Sequence, residues 1–292
     1  MTLPVALVQA FGAEPLGGNG AAVVRLNAPA QGSWMQQLAG CLKQSETAFL
    51  WRQPNGSWAL RWFTPACEVP LCGHATLAAT VALAHWGDLH PGARSTLATR
   101  SGGLEVCWMQ GPDGTASLVL PSQPLQPLPI ASGLQRLLGV ELLAYWGSAL
   151  GYRVALLPDT VALADLPSPA GQLQGGDRQG LVLMQACSSV AIPLLGRSAD
   201  YQLRFFAPDL GIDEDPVTGS AHALVAPWWM QQLRRATVLG WQCSPWRGGM
   251  LCEHAQAGHV RLTGRGHLLW HGHLEAGDGG CDPEGWGVCQ HA

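Results

Sequence analysis

One carboxylate in this sequence stands where it could move a proton. Glu46 is the only charged residue in a run of strand-forming residues between Ser45 and Trp51. We expect burial of this strand to raise the pKa of Glu46, so that the carboxyl group can both give and take a proton. Glu46 is therefore our candidate general acid and base. The alternative is a glutamate at a strand edge that faces solvent.

An imidazole lies at a second position suited to proton chemistry. His74 follows Gly73 at the start of a predicted helix. The positive end of that helix is expected to lower the pKa of His74 and to favour a neutral imidazole, which donates or accepts a hydrogen bond. His74 could then orient a substrate or relay a proton. The alternative is a simple helix cap.

A second polar cluster comes late in the chain, around Asp215. Asp215 precedes Pro216, and an Asp-Pro pair favours a turn that would fix the carboxylate. The hydroxyls of Thr218 and Ser220, with the backbone amides of the helix that follows, could hold a carboxylate or enolate oxygen. An N-cap arrangement without a ligand is the alternative.

Cysteine chemistry offers two further interpretations. Cys72 precedes the first of these helices, and a thiolate at a helix N-terminus could act as a base. Cys67, Cys72 and His74 could instead bind zinc together with His271 and His273, but their irregular spacing disfavours such a site. We therefore predict no metal. Most of the nine cysteines are expected to be reduced thiols in the core.

Two segments predict the central helices that would carry these groups. Residues 75–86 are apolar almost all round and are followed by Gly87, and a helix that is apolar on every face must be buried. The second central helix is predicted at residues 220–233, where Pro227 should kink the helix or cost a backbone hydrogen bond. Helical spacing of apolar residues also predicts a helix at residues 32–43, leading into the strand that contains Glu46.

Composition excludes several classes of function. Charged residues are 12% of the chain and Lys43 is its only lysine, so no basic surface could neutralise a nucleic-acid backbone. No apolar run approaches the roughly 20 residues that span a bilayer, and the first residues lack a signal-peptide pattern. We predict a soluble cytoplasmic protein that contacts neither nucleic acid nor membrane.

A rough internal repeat predicts two similar domains. Residues 61–65, which lead into the Gly73 helix start, have a copy at residues 204–208, which lead into the Gly219 helix start. We place an N-terminal domain at residues 1–120 and a C-terminal domain at 121–276. A glycine-rich tail at 277–292 is expected to be poorly ordered. Two anion-attracting helix ends that face each other would clamp a small acid.

Several motifs together resemble the phenazine biosynthesis-like (PhzF-like) family. They are Gly18-Asn19-Gly20-Ala21-Ala22-Val23-Val24, Ser45-Glu46-Thr47-Ala48-Phe49, Arg61-Trp62-Phe63-Thr64-Pro65, Leu71-Cys72-Gly73-His74-Ala75-Thr76 and Glu214-Asp215-Pro216-Val217-Thr218-Gly219-Ser220-Ala221-His222. The resemblance implies the α+β fold of diaminopimelate epimerase. In that fold, two similar domains each wrap a curved, mostly antiparallel sheet around a central helix, with the active site in the cleft between them.

The resemblance also implies roles for individual residues. It makes Glu46, His74 and Asp215 catalytic. The implied substrate-binding set is Asn19, Gly73, Thr218, Gly219 and Ser220. The implied reaction is a cofactor-independent proton shift, like the isomerisation of trans-2,3-dihydro-3-hydroxyanthranilate in the phenazine pathway. A homodimer is expected by the same resemblance.

Three functions are therefore weighed. The first is an isomerase acting on a small carboxylated, cyclic or unsaturated metabolite. The second is an amino-acid racemase or epimerase. Sister enzymes of the fold use two facing thiols for that chemistry, whereas here Cys72 is matched by Thr218, whose hydroxyl is a poor replacement for a thiol; a one-base epimerase using Glu46 stays open. The third is a metabolite-binding protein without turnover.

Overall fold

The chain folds into two compact units of mixed strands and helices. The computed structural model describes residues 2–109, 114–187, 195–275, 277, 279–282 and 285–286. One unit comprises Met1–Val119 and Thr263–Ala292, and the other comprises Leu120–Leu262. The α-helices within the described ranges are α1 (Gly32–Leu42), α2 (Gly73–His85), α3 (Ser132–Leu138) and α4 (Gly219–Leu233). Short 3-10 helices lie at Leu163–Asp165, Ala170–Gln172, Gly175–Arg178 and Pro208–Leu210.

The strands of the first unit form one mixed sheet. They are β1 (Leu3–Ala10), β2 (Asn19–Arg25), β3 (Glu46–Arg52), β4 (Trp58–Phe63), β5 (Glu68–Val69), β6 (Arg94–Thr99), β7 (Gly102–Trp108) and β8 (Thr115–Pro121). β2 and β3 are parallel, as are β4 and β6, whereas the pairs β1–β2, β3–β4, β4–β5, β6–β7 and β7–β8 are antiparallel.

The second unit repeats this pairing pattern. Its strands are β9 (Gln126–Pro127), β10 (Ala144–Gly147), β11 (Arg153–Leu156), β12 (Leu181–Ala186), β13 (Tyr201–Ala207), β14 (Ile212–Asp215), β15 (Thr237–Gln242) and β16 (Gly248–His254), with β17 (His259–Leu274) continuing into the first unit. β11 and β12 are parallel, as are β13 and β15, and the pairs β10–β11, β12–β13, β13–β14 and β15–β16 are antiparallel. The internal repeat of the sequence is thus a repeat of topology.

A buried arginine–glutamate pair occupies the same place in each unit. Arg61 on β4 donates two hydrogen bonds to Glu68 on β5, at 2.7 and 2.8 Å. Arg204 on β13 donates two to Glu214 on β14, both at 2.7 Å. Two parallel bonds of this kind fix both partners in the plane of the guanidinium group. Each pair therefore ties the short strand that precedes a central helix to the strand beside it.

The central helix of the first unit, α2, is buried on all sides over most of its length, as the sequence predicts. Every residue of α2 from Gly73 to Leu83 is buried. Its two internal threonines are accommodated because their hydroxyls donate to backbone carbonyls one turn earlier: Thr76 to Cys72 at 2.6 Å and Thr80 to Thr76 at 2.9 Å. Both central helices begin at a glycine, earlier than residues 75 and 220 where the apolar pattern predicted their starts.

Pro227 lies inside α4 without ending it. A proline lacks the N–H that would bond to the carbonyl of the residue four positions earlier, here Ala223. The hydroxyl of Ser122 donates to that carbonyl oxygen at 2.8 Å. The helix therefore continues to Leu233, and the expected cost in hydrogen bonding is offset by a side chain from another part of the same unit.

The carboxyl-terminal segment differs from the sequence prediction. The sequence pattern predicts two strands, at residues 259–263 and 267–274, but β17 is one strand whose later residues pair with β1 from Leu3 to Ala10. That pairing is why residues from Thr263 onward belong to the first unit, and not to a domain at 121–276. The proline- and glutamine-rich composition of residues 121–129 predicts a linker, but these residues include β9. The sequence pattern does not predict α3, β10 or β14.

The described tail residues lie against the first unit. The indole of Trp286 meets Trp51 edge-on with ring centroids 5.4 Å apart, and Arg61 Nη1 donates to the carbonyl of Gly285 at 3.1 Å. These contacts differ from the poorly ordered tail that composition suggested. Within the described ranges, no helix is both long and apolar enough to cross a bilayer.

Candidate active site

Four polar side chains of the first unit meet at one end of α2. Asn19 is the first residue of β2 and Glu46 the first of the parallel neighbour β3, so the two strand starts lie side by side. Cys72 is the N-cap of α2 and His74 its second residue. The parallel register and the helix start thus bring together residues that are distant in sequence. All four are buried.

His74 is the centre of this group. Its Nε2 lies 2.9 Å from Glu46 Oε2, while its Nδ1 lies 3.3 Å from Asn19 Nδ2 and 3.5 Å from Cys72 Sγ. The structure therefore brings together three residues of the predicted site, Asn19, Glu46 and His74. It adds Cys72, which the sequence left as either reactive or inert.

Ser45 is a site residue that sequence reasoning missed. Its hydroxyl lies 3.1 Å from His74 Nε2, 2.9 Å from Asn19 Oδ1 and 2.7 Å from the carbonyl oxygen of Gly20. A hydroxyl has one proton to donate, so Ser45 donates to one of these oxygens and accepts from the imidazole when Nε2 carries a proton. Its position directly before Glu46 was the available signal.

The carboxylate of Glu46 is ionised more readily than an ordinary glutamate. Burial alone would raise its pKa, but the positive charge of His74, together with the polar contacts of His74 and Ser45, outweighs burial and lowers the pKa below 4.5. The expectation of a raised pKa was therefore wrong. It counted burial and omitted the imidazole, which the sequence separates from Glu46 by 28 residues.

Although His74 is close to Glu46, the carboxylate retains one unsatisfied oxygen. Among the residues that the structure describes, no hydrogen-bond donor is aligned with Glu46 Oε2, and this atom is shielded from solvent. The contact with His74 Nε2 at 2.9 Å is thus an ion pair without the alignment of a hydrogen bond. Glu46 Oε2 consequently keeps lone-pair capacity for a proton or a cation.

His74 is held as a cation. Burial would lower its pKa, but the neighbouring Cys72 and Glu46 raise the pKa well above 6.5. Burial and the negative charge of Glu46 raise the pKa of the Cys72 thiol above 9.0, so this thiol is neutral near pH 7. The negative charge that raises the pKa of His74 is therefore that of Glu46. The predicted neutral imidazole was wrong, because one carboxylate at 2.9 Å outweighs a helix end.

The donor atoms of Glu46, Cys72 and His74 lie within 4.8 Å of one another and could together hold a metal ion. This is not the zinc set that the sequence suggested. Cys67 Sγ instead lies 3.6 Å from the hydroxyl of Thr64. His271 pairs its ring with His85, at a centroid distance of 4.4 Å.

In the second unit, the predicted residues around α4 form a hydrogen-bonded turn. The hydroxyl of Thr218, the N-cap of α4, donates to Asp215 Oδ2 at 2.5 Å. Gln242, which sequence reasoning missed, accepts from the Thr218 amide at 2.8 Å and donates to the Asp215 carbonyl at 2.7 Å. The hydroxyl of Ser244 donates to the Pro216 carbonyl at 2.6 Å.

These bonds decide which groups at the α4 start are open to a ligand. The Thr218 amide and hydroxyl are already used within the turn, which leaves Gly219 and Ser220 at the helix N-terminus. The hydroxyl of Ser220 lies 3.3 Å from that of Tyr152, another residue that sequence reasoning missed. His222, two residues further, is buried, and burial lowers its pKa to about 3, so it is a neutral core residue.

Comparison with known proteins identifies the family. The family model described as phenazine biosynthesis-like protein matches residues 8–145 and 149–272. The chain belongs to the phenazine biosynthesis-like family. A relative from Pseudomonas aeruginosa, named an uncharacterized isomerase, is 36% identical over 283 residues, which cover 94% of this chain and 99% of the relative.

Solved structures confirm the fold of this family. A crystal structure of a PhzF-family phenazine biosynthesis protein from Enterococcus faecalis is 31% identical, with a TM-score of 0.81 over 94% of this chain and 99% of that one. A hydroxyproline epimerase from Agrobacterium vitis, 12% identical, has a TM-score of 0.62 over 99% and 98% of the two chains. The predicted α+β, epimerase-like fold is therefore confirmed.

Proposed function

We propose that the protein is a cofactor-independent isomerase that moves a proton within a small carboxylated, cyclic or unsaturated metabolite. The observation that carries this proposal is the buried carboxylate of Glu46. Its Oε2 lies 2.9 Å from an imidazolium, yet no donor in the described ranges is aligned with it as in a hydrogen bond. Such a group is ionised and able to accept a proton without first losing a hydrogen bond.

The proposed reaction balances without an added reagent. Glu46 Oε2 takes a proton from a carbon of the conjugated acid, and the electron pair of that C–H bond enters the conjugated system. The neutral Glu46 carboxyl group then returns the proton to a different carbon as the electron pair moves back. No electrons are gained or lost. The His74 imidazolium stabilises negative charge, first on Glu46 and then on the substrate.

Binding of the acid is assigned to helix N-termini. The backbone amides of Gly73 and His74 begin α2, where N–H groups lack partners within the helix and attract anions. In the second unit, we assign the same role to the amide of Gly219 and to the amide and hydroxyl of Ser220. Asp215 is assigned a positioning role, because it holds the Thr218 hydroxyl.

An epimerase is the second candidate because of one specific observation. The Cys72 thiol is the N-cap of α2 and lies 3.5 Å from His74 Nδ1, where the positive charge of the imidazolium would stabilise a thiolate. The matching N-cap of α4 is Thr218, whose hydroxyl is bonded to Asp215 at 2.5 Å. A mechanism with two facing thiols therefore lacks its second thiol, and a one-base epimerase would depend on Glu46.

The deciding experiment is solvent-deuterium incorporation into dihydro-hydroxyanthranilate and a panel of related small acids, followed by NMR. We expect exchange with the wild-type protein, a loss of about 10²- to 10⁴-fold in Glu46→Gln, and a mild effect of Cys72→Ser. Glu141→Gln, an exposed glutamate, is the matched control.

Three other outcomes would overturn the proposal. Exchange that survives Glu46→Gln but vanishes in Cys72→Ser would indicate a thiol-based epimerase. Proton exchange at a single carbon with inversion, and dependent on Glu46, would indicate a one-base epimerase. Binding of an acid without exchange by any variant would indicate a metabolite-binding protein.

We also propose a cytoplasmic location and a homodimer. Free thiols at Cys41, Cys67, Cys72, Cys107, Cys243, Cys252 and Cys281 suit a reducing compartment. Light scattering coupled to size-exclusion chromatography tests the dimer, which predicts a mass of twice 30.9 kDa.

A further inference from the structure

The side chains of Glu46, Cys72 and His74 have a spacing close to that of a zinc site. His74 Nε2 lies 2.9 Å from Glu46 Oε2 and 3.9 Å from Cys72 Sγ, and His74 Nδ1 lies 3.5 Å from the same sulfur. A tetrahedral Zn²⁺ with bonds of about 2.0–2.3 Å holds its ligand atoms about 3.3–3.6 Å apart. Shifts of a few tenths of an ångström would bring His74 Nε2 to those distances from Glu46 Oε2 and Cys72 Sγ, and the donor atoms of Glu46 and Cys72 lie within 4.8 Å of each other.

We propose that Glu46, Cys72 and His74 form a binding site for a thiophilic divalent cation, with Zn²⁺ as the best fit, and that the bound ion inhibits the protein. Inhibition follows because a metal on Glu46 Oε2 occupies the lone pair that would accept the substrate proton. Only the inhibition rests on the proposed isomerase function; the binding site does not.

The unsatisfied oxygen of Glu46 independently points to a ligand. Glu46 Oε2 is buried, and within the described part of the chain it has an ion-pair contact with His74 but no aligned hydrogen-bond donor. An acceptor without a hydrogen bond in a protein interior is costly. A cation at this oxygen would satisfy it. The three donor atoms all belong to residues that are less than one-tenth exposed, so solvent competes poorly for the same positions.

The types of donor select the ion. One thiolate, one imidazole and one carboxylate suit Zn²⁺, whereas Mg²⁺ and Ca²⁺ prefer sets made of oxygen alone. Three protein ligands leave the fourth tetrahedral position for water or for the carboxylate of a bound acid. When Nε2 of His74 binds the metal, Nδ1 carries the proton, and the Asn19 carboxamide, 3.3 Å away, can accept it after a flip of its amide.

Binding releases protons and involves no redox change. The Cys72 thiol loses its proton as the metal–sulfur bond forms, and the His74 imidazolium loses one as the metal–nitrogen bond forms. Both protons go to solvent. Because ligands must be deprotonated, affinity should fall as pH falls, by about tenfold per pH unit for each proton released.

Titration with Co²⁺, a spectroscopic substitute for Zn²⁺, tests the site in the full chain. We expect one equivalent to give a thiolate-to-cobalt charge-transfer absorption that Zn²⁺ abolishes by displacement. Cys72→Ser and Cys72→Ala should lose this absorption, whereas Cys67→Ser, the matched control five residues earlier, should keep it. Glu46→Gln should keep the absorption and weaken the affinity by at least the roughly 10- to 100-fold typical of losing an outer-shell partner.

A second measurement uses only the wild-type protein, in case the Cys72 variants do not fold. Alkylation with iodoacetamide, mapped by mass spectrometry of peptides, should label Cys72 more slowly when one equivalent of Zn²⁺ is present. The proposal is overturned if the wild type gives no charge-transfer absorption, if the absorption is unchanged in Cys72→Ser, or if Zn²⁺ leaves the labelling rate of Cys72 unaltered.

The inhibitory part has its own readout. Zn²⁺ at the concentration that displaces Co²⁺ should stop deuterium exchange, and a chelator should restore it. If no acid exchanges with any preparation, the isomerase proposal fails while the Co²⁺ titration still decides the metal site. If exchange proceeds unchanged on the zinc-loaded protein, inhibition is refuted and the isomerase proposal stands.

Discussion

At the scale of single residues, the charge state of the Glu46–His74 pair controls both stability and chemistry. The pKa of Glu46 is lowered from 4.5, so its contribution to stability is present above pH 4.5 and is lost as pH falls through the lowered pKa. The pKa of His74 is raised above 6.5, so its contribution is present below pH 6.5 and is lost as pH rises through the raised pKa.

These signs give a prediction for the pH dependence of stability. The free energy of unfolding of wild type should exceed that of His74→Gln by the largest margin between pH 4.5 and 6.5. The margin should shrink on either side of that window. Urea denaturation of both proteins across the pH range measures it. A margin that does not vary with pH would show that the two groups are not charged together.

Residue types were easier to predict than residue charges. Glu46 and His74 stood out in the sequence because each is a polar residue at the edge of an apolar segment. Their pKa shifts were predicted with the wrong sign, since each shift depends on the other residue, 2.9 Å away in space. Ser45 and Cys72 also belong to this group because they lie close to His74 in space. That proximity follows from the register of β2 and β3 and from the start of α2, which the sequence alone does not show.

At the scale of elements, one glutamine holds the turn before α4. Replacing Gln242 with Leu removes the acceptor of the Thr218 amide and the donor to the Asp215 carbonyl, at 2.8 and 2.7 Å. A buried polar group left unsatisfied costs about 1–3 kcal/mol, so we expect Gln242→Leu to lower the free energy of unfolding by at least about 2 kcal/mol.

A matched control exists in the same unit. Gln185 is also a buried glutamine on a strand, but its side chain makes a single bond, to the Val161 carbonyl at 3.0 Å, and its Oε1 is unsatisfied. Gln185→Leu should therefore cost clearly less, about 1 kcal/mol. The midpoints of urea denaturation of the two variants measure this difference. Equal losses would mean that Gln242 does no more than fill space.

The proline inside α4 gives a second prediction at this scale. Ser122→Ala should cost about 1 kcal/mol in the wild-type background, because it removes the hydroxyl that serves the Ala223 carbonyl at 2.8 Å. In a Pro227→Ala background the restored backbone N–H serves that carbonyl, so the same change should cost little. A double-mutant cycle by urea denaturation measures the coupling. Strictly additive effects would contradict the explanation.

Elements with a strong pattern were predicted and those without one were not. The helix α2 was predicted because its residues are apolar almost all round, whereas β14 reads Ile212-Asp213-Glu214-Asp215 and has no strand-like alternation. Only the buried Arg204, which binds Glu214, explains why this acidic segment is a strand. The strand conformation of this segment therefore depends on an interaction between residues ten positions apart, and not on local strand propensity.

At the scale of the whole molecule, the repeated pairing of strands explains why the fold was predictable. The repeated sequence segments around Arg61 and Arg204 lie at equivalent places in the two sheets, each bonded to a glutamate on the following short strand. What the repeat did not predict is the end of the chain. β17 leaves the second unit at Leu262 and pairs with β1, which carries the tail to the first unit.

The last prediction concerns that tail. Trp286 packs against the core cluster around Trp51. The preceding Gly285 has a φ of 68°, and a Cβ there would lie 2.6 Å from the Trp51 ring, so the tail approaches too closely for any other residue. Trp286→Ala should lower the free energy of unfolding by about 2–3 kcal/mol, because large-to-small changes at packed aromatic residues remove apolar contacts. Urea denaturation measures this loss.

Trp270 provides the matched control, since its side chain is 46% exposed on β17. Trp270→Ala should cost less than about 1 kcal/mol, as surface substitutions usually do. A chain that ends at Leu274 should lose at least as much as Trp286→Ala, because it also lacks the Gly285 carbonyl that accepts from Arg61. If Trp286→Ala and Trp270→Ala lower the free energy of unfolding equally little, the tail does not stabilise the first unit. The poorly ordered tail predicted from its glycine-rich composition would then be the better description.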